Sequence, residues 1–235
     1  MRKYGYWVSI ILVVVTLSSC ALLPKPDQSN PILTVAVLPF SNFSNNVDAP
    51  ENLRKQYIEK FESKFYKVIS VKKIDRILLD DFGITLGDQI DDVDFDEIKE
   101  KIGADGYVFG HITHYVRTVS GVLNSNRVRT EMKMIQASNN NLVWQSQIGV
   151  KSESKSDDLL GNIASLASAI SDVKEDSGEW ITIERQPDGD GSILGNLGSG
   201  LIESIIGTAT DTLLTEESHA LIELSTSKLR HGPGD

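Results

Sequence analysis

The sequence predicts an α/β domain built on a mixed β-sheet, and three patterns support this fold class. An apolar run from Leu33 to Leu38 is typical of a strand buried on both faces, as in a parallel sheet. Helical patterns follow it, which indicates a βαβ-type beginning. Between Arg127 and Val150, apolar and polar residues alternate, as in antiparallel strands with one solvated face. We therefore expect a parallel part, extended by antiparallel hairpins and flanked by helices.

Three helices are predicted after the first strand, separated by a second short strand from Lys67 to Val71. The first helix is expected to begin with a capping box from Asp48 to Glu51, with Pro50 in its first turn. The second should end at Gly83 and the third at Gly103, since glycine commonly ends helices. The apolar stripes predicted for these helices are Leu53, Tyr57, Ile58, Phe61 and Phe65; then Ile74, Ile77, Leu78 and Phe82; then Phe95, Ile98 and Ile102.

A long strand from Tyr107 to Tyr115 is expected next, followed by a hairpin. Val128, Thr130, Met132 and Met134 alternate with charged residues, and Asn139 to Asn141 is a turn signal. The return strand should run from Leu142 to Val150. The domain is predicted to span residues 32–224, with a helix at 157–173, an insertion at about 172–192 that holds a β-like patch at 180–183, and a flexible tail at 225–235.

The N-terminus has the pattern of a bacterial lipoprotein signal. Arg2 and Lys3 precede an apolar run of about ten residues, too short to span a bilayer as a helix. Residues 17–20, Leu-Ser-Ser-Cys, resemble a lipobox, and Cys20 is the only cysteine of the chain. We expect residues 1–19 to be cleaved, Cys20 to carry acyl chains such as palmitate, and residues 20–31 to form a tether. An ordinary cleaved signal with an incidental cysteine is the alternative.

The residue after Cys20 is Ala21, and in bacterial lipoproteins the absence of aspartate there implies the outer membrane. The periplasmic side is the expected location, with exposure on the cell surface as the alternative. The formal net charge of −10 argues against nucleic acid, whose binding needs clustered basic residues. It also argues against polybasic association with anionic lipid.

No catalytic, cofactor or metal site is predicted from the sequence. His111 and His114 are three residues apart on an expected strand, so they should face opposite sides of the sheet and not share a metal ion. Residues 188–192, Asp-Gly-Asp-Gly-Ser, resemble the start of a calcium loop, but Ser199 stands where an EF-hand needs glutamate. The paired acids Asp80–Asp81 and Asp91–Asp92 are interpreted as solvated faces.

An apolar helix predicted from Leu197 to Leu214 is the candidate interaction surface. Small residues at Gly191, Gly195, Ser199 and Gly207 allow close helix packing. The alternative is a core helix that covers the sheet. The candidate interaction residues are Leu194, Leu197, Leu201, Ile202, Ile205 and Ile206.

Several segments, taken in their order, resemble a family of small outer-membrane lipoproteins of unknown function. The domain of that family is similar to the amino-terminal domain of TolB and to the periplasmic domain of the CsgG channel. The resemblance spans roughly residues 33–224. The segments are Val35–Phe40 with Asn42, Asp48–Pro50, Asp75–Leu78, Phe82–Ile84, Ile102–Gly106, Leu142–Trp144 and Gly195–Ile206.

The resemblance implies an envelope lipoprotein that self-associates or acts beside a CsgG-like lipoprotein in transport or surface assembly. Our first hypothesis is therefore a binding or assembly component without enzymatic activity. One alternative is a periplasmic small-ligand-binding module, with its site at the carboxyl ends of the parallel strands, near Phe40–Asn46 and the strand starting at Tyr107. The other is an uncharacterised envelope hydrolase. A shallow or dry crevice at the strand ends would favour the first hypothesis, and a lined cleft would favour the alternatives.

Overall fold

The computed structural model describes residues 24–120, 123–155, 179–184 and 214–234. Within these ranges the chain forms one seven-stranded mixed sheet flanked by helices, which confirms the predicted fold class. The strand order is β3-β1-β4-β5-β6-β7, and β2 pairs separately with β4. The strands are β1 (Thr34–Val37), β2 (Ser41–Asn42), β3 (Lys67–Val68), β4 (Gly106–Ser120), β5 (Leu123–Gln136), β6 (Leu142–Lys155) and β7 (Glu179–Glu184).

The sheet changes from parallel to antiparallel at β4. Strand β1 lies between β3 and β4 and is parallel to both, whereas β4, β5 and β6 form an antiparallel meander. Val35, Ala36 and Val37 are all 0% exposed, as an apolar run without alternation predicts for a strand covered on both faces. The β-like patch at 180–183 belongs to β7, which pairs in parallel with β6.

Helices cover both faces of the parallel part. Helices α1 (Ala49–Ser63) and α4 (Thr215–Thr226) pack on one face, while α2 (Val71–Phe82) and α3 (Phe95–Ile102) pack on the other. A 3₁₀ helix (Gly87–Asp92) lies between α2 and α3. As predicted, α2 and α3 end at Gly83 and Gly103, which have φ values of 69° and 71°.

Two predicted details of α1 are wrong. The Asp48 side chain forms no capping hydrogen bond, because its backbone is already in the right-handed helical region, with φ −89° and ψ −11°. A side-chain cap normally requires an extended backbone at that position. Phe65 was expected on the apolar stripe of α1, but the helix ends at Ser63 and Phe65 follows it with φ 69°.

Helix α4 packs on β5 and β6 largely through buried polar groups. Glu217 is 1% exposed, and its Oε1 accepts hydrogen bonds from Asn126 Nδ2 at 3.0 Å and from Ser152 Oγ. About two turns later in α4, the Ser225 carbonyl oxygen accepts a hydrogen bond from Trp144 Nε1 at 3.3 Å. The helix therefore replaces part of the usual apolar contact with matched hydrogen bonds.

Two predictions about the ends of the domain are wrong. Residues after 225 do not form a flexible tail, and the described part of the predicted tether, residues 24–31, is bonded to the domain. Leu229 is 5% exposed, and the Arg230 guanidinium donates to Asp27 Oδ2 at 2.6 Å. The backbone amide of Asp27 donates to the Gly232 oxygen at 2.8 Å, and that of Gly232 donates to the Lys64 oxygen at 2.7 Å. Backbone pairing and one buried leucine order both termini, and neither leaves a periodic signal in the sequence.

Tyr57 joins α1 to β5 and α4, and we expect it to make stability depend on pH in alkaline solution. Its hydroxyl lies 3.1 Å from Thr130 Oγ1 and 2.9 Å from Ser225 Oγ, and burial raises its pKa from 10.0 to about 12. An unfolded chain releases this proton near pH 10 and the folded chain near pH 12. The free energy of unfolding should therefore fall by about 2–3 kcal/mol as the pH rises across this window.

Urea unfolding of the wild type and of Tyr57→Phe at pH 8 and pH 11.5 measures this contribution. The variant should be about 1–2 kcal/mol less stable at pH 8, because two hydroxyl partners lose a hydrogen bond. It should lose less stability than the wild type on going to pH 11.5. An equal alkaline loss in both proteins would contradict the assignment.

Several sequence-based predictions lie outside the described residues. These are the signal peptide with Cys20, the helix at 157–173, most of the insertion at 172–192, the loop at 188–192, and the late helix with Leu194, Leu197, Leu201, Ile202, Ile205 and Ile206. Within the described ranges no helix is long and apolar enough to cross a membrane.

Candidate functional site

A cleft of about 840 Å³ lies at the carboxyl end of β1. Helices α1 and α2 form its sides, and the loop after β1 and the segment at 84–88 close its ends. This is the strand-end region that the sequence predicted as a ligand site near Phe40–Asn46, and Phe40 and Asn42 line the cleft. Open α/β sheets commonly bind ligands at this place, because the loops there diverge to opposite faces.

Arg54 forms the floor of the cleft and is only 8% exposed. Its Nε and Nη2 donate to the carbonyl oxygen of Val37, the last residue of β1, at 3.1 and 2.8 Å. Its Nη1 lies 2.8 Å from Asp75 Oδ1 on α2. Burial lowers the pKa of Arg54, and the carboxylate of Asp75 opposes that shift. Arg54 thus links α1, β1 and α2, and its charge is neutralised within the protein.

Three large aliphatic side chains on the rim are exposed to solvent. Val47 is 85% exposed, Leu86 is 63% exposed and Leu79 is 53% exposed, and all three line the cleft. Phe43, on the same loop as Val47, is 69% exposed and stacks against His111 with ring centroids 6.3 Å apart. Single exposed apolar residues are ordinary on protein surfaces, but a cluster around a cleft is typical of an interaction site.

The walls of the cleft are held in place by local contacts. The Asn42 side chain donates to the Asn46 carbonyl oxygen at 2.8 Å and accepts from the Ser44 amide at 3.0 Å. Gly87 approaches the loop after β1 so closely that a Cβ there would lie 2.2 Å from the Phe40 carbonyl carbon. The cleft is therefore formed before anything binds, which reduces the entropic cost of binding.

Charged groups around the cleft are mostly acidic. Four carboxylates line it, against the two cations Arg54 and Lys55. Arg54 is neutralised by Asp75, so the exposed part of the lining carries a net negative charge. The carboxylates are those of Glu51, Glu59, Asp75 and Asp88.

The cleft has no arrangement for nucleophilic catalysis. Among the described residues that line it there is no histidine, cysteine, serine or tyrosine, and Thr85 carries its only hydroxyl. Thr85 Oγ1 lies 3.3 Å from Gln89 Oε1 and has no base beside it among these residues. A nucleophile needs an adjacent base to be activated, and the lining residues that the structure describes do not bring such a pair together.

The predicted orientation of the two histidines is wrong. His111 pairs across the sheet with Glu131, and His114 pairs with Arg129, because a bulge at Thr113 shifts the register. Glu131 and Arg129 are two residues apart, so both histidines face the same side of the sheet. Their rings still contact different aromatic partners, Phe43 and Trp180. Within the described ranges no three histidine, cysteine, aspartate or glutamate residues are grouped closely enough to hold a metal ion.

Solved structures of low sequence identity resemble the chain in fold. Lipoprotein GNA1162 from Neisseria meningitidis is 16% identical, with a TM-score of 0.47 over 59% of this chain and 95% of that chain. The PelC dodecamer from Paraburkholderia phytofirmans is 13% identical, with a TM-score of 0.37 over 52% and 75%. The LpoB C-terminal domain from Escherichia coli is 13% identical, with a TM-score of 0.33 over 58% and 90%.

No curated sequence matches the chain at a significant level. The resemblance to the TolB and CsgG domains stays a prediction. A family model described as "Putative lipoprotein GNA1162-like" matches residues 26–179, which is more than half of the chain. The chain therefore belongs to the GNA1162-like lipoprotein family.

Proposed function

We propose that this chain is a lipid-anchored envelope protein that binds an apolar segment of a second envelope protein in the cleft. The observation that carries the proposal is the preformed cleft with three exposed aliphatic side chains on its rim. The acidic lining favours a segment whose apolar residues are flanked by lysine or arginine. No catalytic step is assigned, because the lining lacks a nucleophile with a base beside it.

The anchor is proposed at Cys20, with its acyl chains in the outer membrane and the domain on the periplasmic side. Ala21, in place of aspartate, supports that membrane. Among the described residues, Lys25 is the first with a hydrogen bond to the domain, since its carbonyl oxygen lies 2.7 Å from His231 Nδ1. Five residues span at most about 18 Å, so the tied end of the domain would stay close to the lipid surface.

The tied end and the cleft lie at opposite ends of β1. The N-terminal segment enters at the amino end of β1, and the cleft opens at its carboxyl end. Helix α1 has 15 residues, which corresponds to a length of about 22 Å. An anchored domain would therefore present the cleft away from its own membrane, where a partner extending through the periplasm can reach it.

A mass measurement on the mature protein tests the anchor. We expect a first residue at Cys20 with the added mass of its acyl chains, and we expect Cys20→Ser to appear in the soluble fraction. An unmodified N-terminus at another residue, with the wild type free in solution, would contradict the anchor and leave the cleft proposal to its own test.

Crosslinking in native envelopes tests the cleft. Leu79→Glu places a charge on the rim and should reduce crosslinking to the partner at least tenfold, because an apolar contact is lost and the new carboxylate would have to be buried against the apolar residues of the segment. Leu142→Glu is the matched control, since Leu142 is also 53% exposed but lies at the start of β6, outside the cleft lining. Equal crosslinking in the two variants would refute the assigned surface.

The same experiment separates the kinds of partner. Mass spectrometry of the crosslinked product identifies a CsgG-like lipoprotein, a second copy of this chain or another envelope protein. A small-ligand-binding module is the second candidate, because 840 Å³ falls within the range of small-molecule pockets. Recovery of monomer alone, with a small molecule retained by the wild type and lost from Leu79→Glu, would favour that candidate.

A further inference from the structure

Arg129 is a buried cation on the sheet face opposite α1 and α4. It is 3% exposed, and two of its nitrogens, Nε and Nη1, are buried without a hydrogen-bond partner. A guanidinium stays protonated at every pH of interest, and a buried charge is costly unless it is paired. Arg54, the other buried arginine among the described residues, has both a carbonyl and a carboxylate partner, so Arg129 stands out.

A row of four residues across the sheet forms the surroundings of this cation. His114, Arg129, Gly149 and Trp180 are register partners on four successive strands and share one face. The Trp180 indole lies across Gly149, where a Cβ would come within 2.6 Å of the ring. This position brings the indole over Arg129, where its ring centroid lies 5.6 Å from the guanidinium carbon. The centroids of the Trp180 and His114 rings are 5.3 Å apart.

The indole offsets only part of the cost of burying the charge. Contact with an aromatic face attracts a cation weakly and provides no hydrogen-bond acceptor. The same sheet face also carries Arg127, Lys133 and Lys151, and the acidic residues Glu131, Glu153 and Glu184. It is therefore the two unpaired nitrogens of Arg129, and not the net charge of this face, that favour a negatively charged acceptor.

We propose that Arg129 is the binding residue of an oxyanion site, with Trp180 covering the guanidinium. The ligand is a carboxylate or phosphate group, because oxygens of these groups are the strongest acceptors for guanidinium donors. The group comes either from a free anion or from a carboxylate of the chain itself. The site is separate from the cleft and independent of the function proposed for it.

Thermal unfolding of the full mature chain in inorganic phosphate tests the site, with sodium chloride matching the ionic strength. A free-anion site predicts that phosphate at ten times its Kd raises the Tm of the wild type by about 3–5 °C. Arg129→Met should abolish this shift and should be no less stable than the wild type without phosphate. Lys133 is a cation on the same face and contacts Phe109, and Lys133→Met should keep the Tm shift caused by phosphate.

A carboxylate of the chain itself predicts a different pattern. Phosphate leaves the wild type unchanged, Arg129→Met lowers the Tm without phosphate, and the difference shrinks as the pH falls from 5 towards 2, because a carboxylate paired with a guanidinium is protonated only below its ordinary pKa. The proposal is overturned if phosphate raises the Tm of Arg129→Met as much as it raises the Tm of the wild type. It is equally overturned if Lys133→Met loses the phosphate shift along with Arg129→Met. It is also overturned if phosphate has no effect and the Tm difference is either absent at pH 5 or the same at pH 2 as at pH 5.

Discussion

Replacing Arg54 with methionine should lower the free energy of unfolding by about 3 kcal/mol. Methionine retains most of the packing volume but removes both donors to the Val37 carbonyl oxygen and the ion pair with Asp75. Loss of one partner of a buried pair costs about 3–5 kcal/mol. The Asp75 side chain is 46% exposed and can be hydrated, so the lower end of this range is expected.

Urea unfolding measures this loss, and two controls define its origin. Asp75→Asn should also be destabilising, by about 2–3 kcal/mol, because it leaves the buried guanidinium of Arg54 with its carbonyl contacts but without a compensating charge. Lys55→Met, next in the chain and exposed, should stay within about 0.5 kcal/mol of the wild type. If Arg54→Met proved as stable as Lys55→Met, the floor of the cleft would not depend on this guanidinium.

Apolar periodicity was sufficient to predict the parallel half of the fold. Burial of β1 on both faces and the ends of α2 and α3 at glycines follow from patterns within a few residues. The location of the cleft was also predictable, because it depends on strand direction. Its floor was not predicted, since charged residues are usually exposed, although Arg54 falls on the apolar stripe with Tyr57 and Ile58 and Lys55 does not.

Helix α4 was missed because its buried face mixes polar with apolar residues. Glu217, Ser218, Ser225 and Thr226 are each less than 5% exposed, so the contrast between an apolar and a polar face is weak. The bulge in β4 escaped prediction for a related reason. It depends on how 14 residues of β5 pair with β4, and a register shift leaves the local alternation of residue types almost unchanged.

Deletion of residues 228–235 should lower the free energy of unfolding by about 4 kcal/mol, a large share of the stability of a typical domain. The deletion removes the buried side chain of Leu229, the Arg230 pair with Asp27, and both backbone hydrogen bonds of Gly232. Burial of one leucine accounts for about 2 kcal/mol, and each hydrogen bond contributes about 1 kcal/mol. The flexible tail predicted from the sequence would instead make the deletion neutral.

A chain that ends at Pro233 is the matched control, because it retains Leu229, Arg230 and Gly232, and its stability should match the wild type within about 0.5 kcal/mol.

Acid solution provides a second measurement. Hydrogen bonds from Ser29 and then from Arg230 lower the pKa of Asp27 to about 2 from 3.8, so this contribution is present above pH 3.8 and is lost as the pH falls through about 2. The deletion variant should lack the share of this acid dependence that Arg230 contributes and keep the share that Ser29 contributes. Because Asp27 lies seven residues after Cys20, the deletion should also make residues 24–31 more sensitive to proteases and leave the domain less closely tied to its anchor.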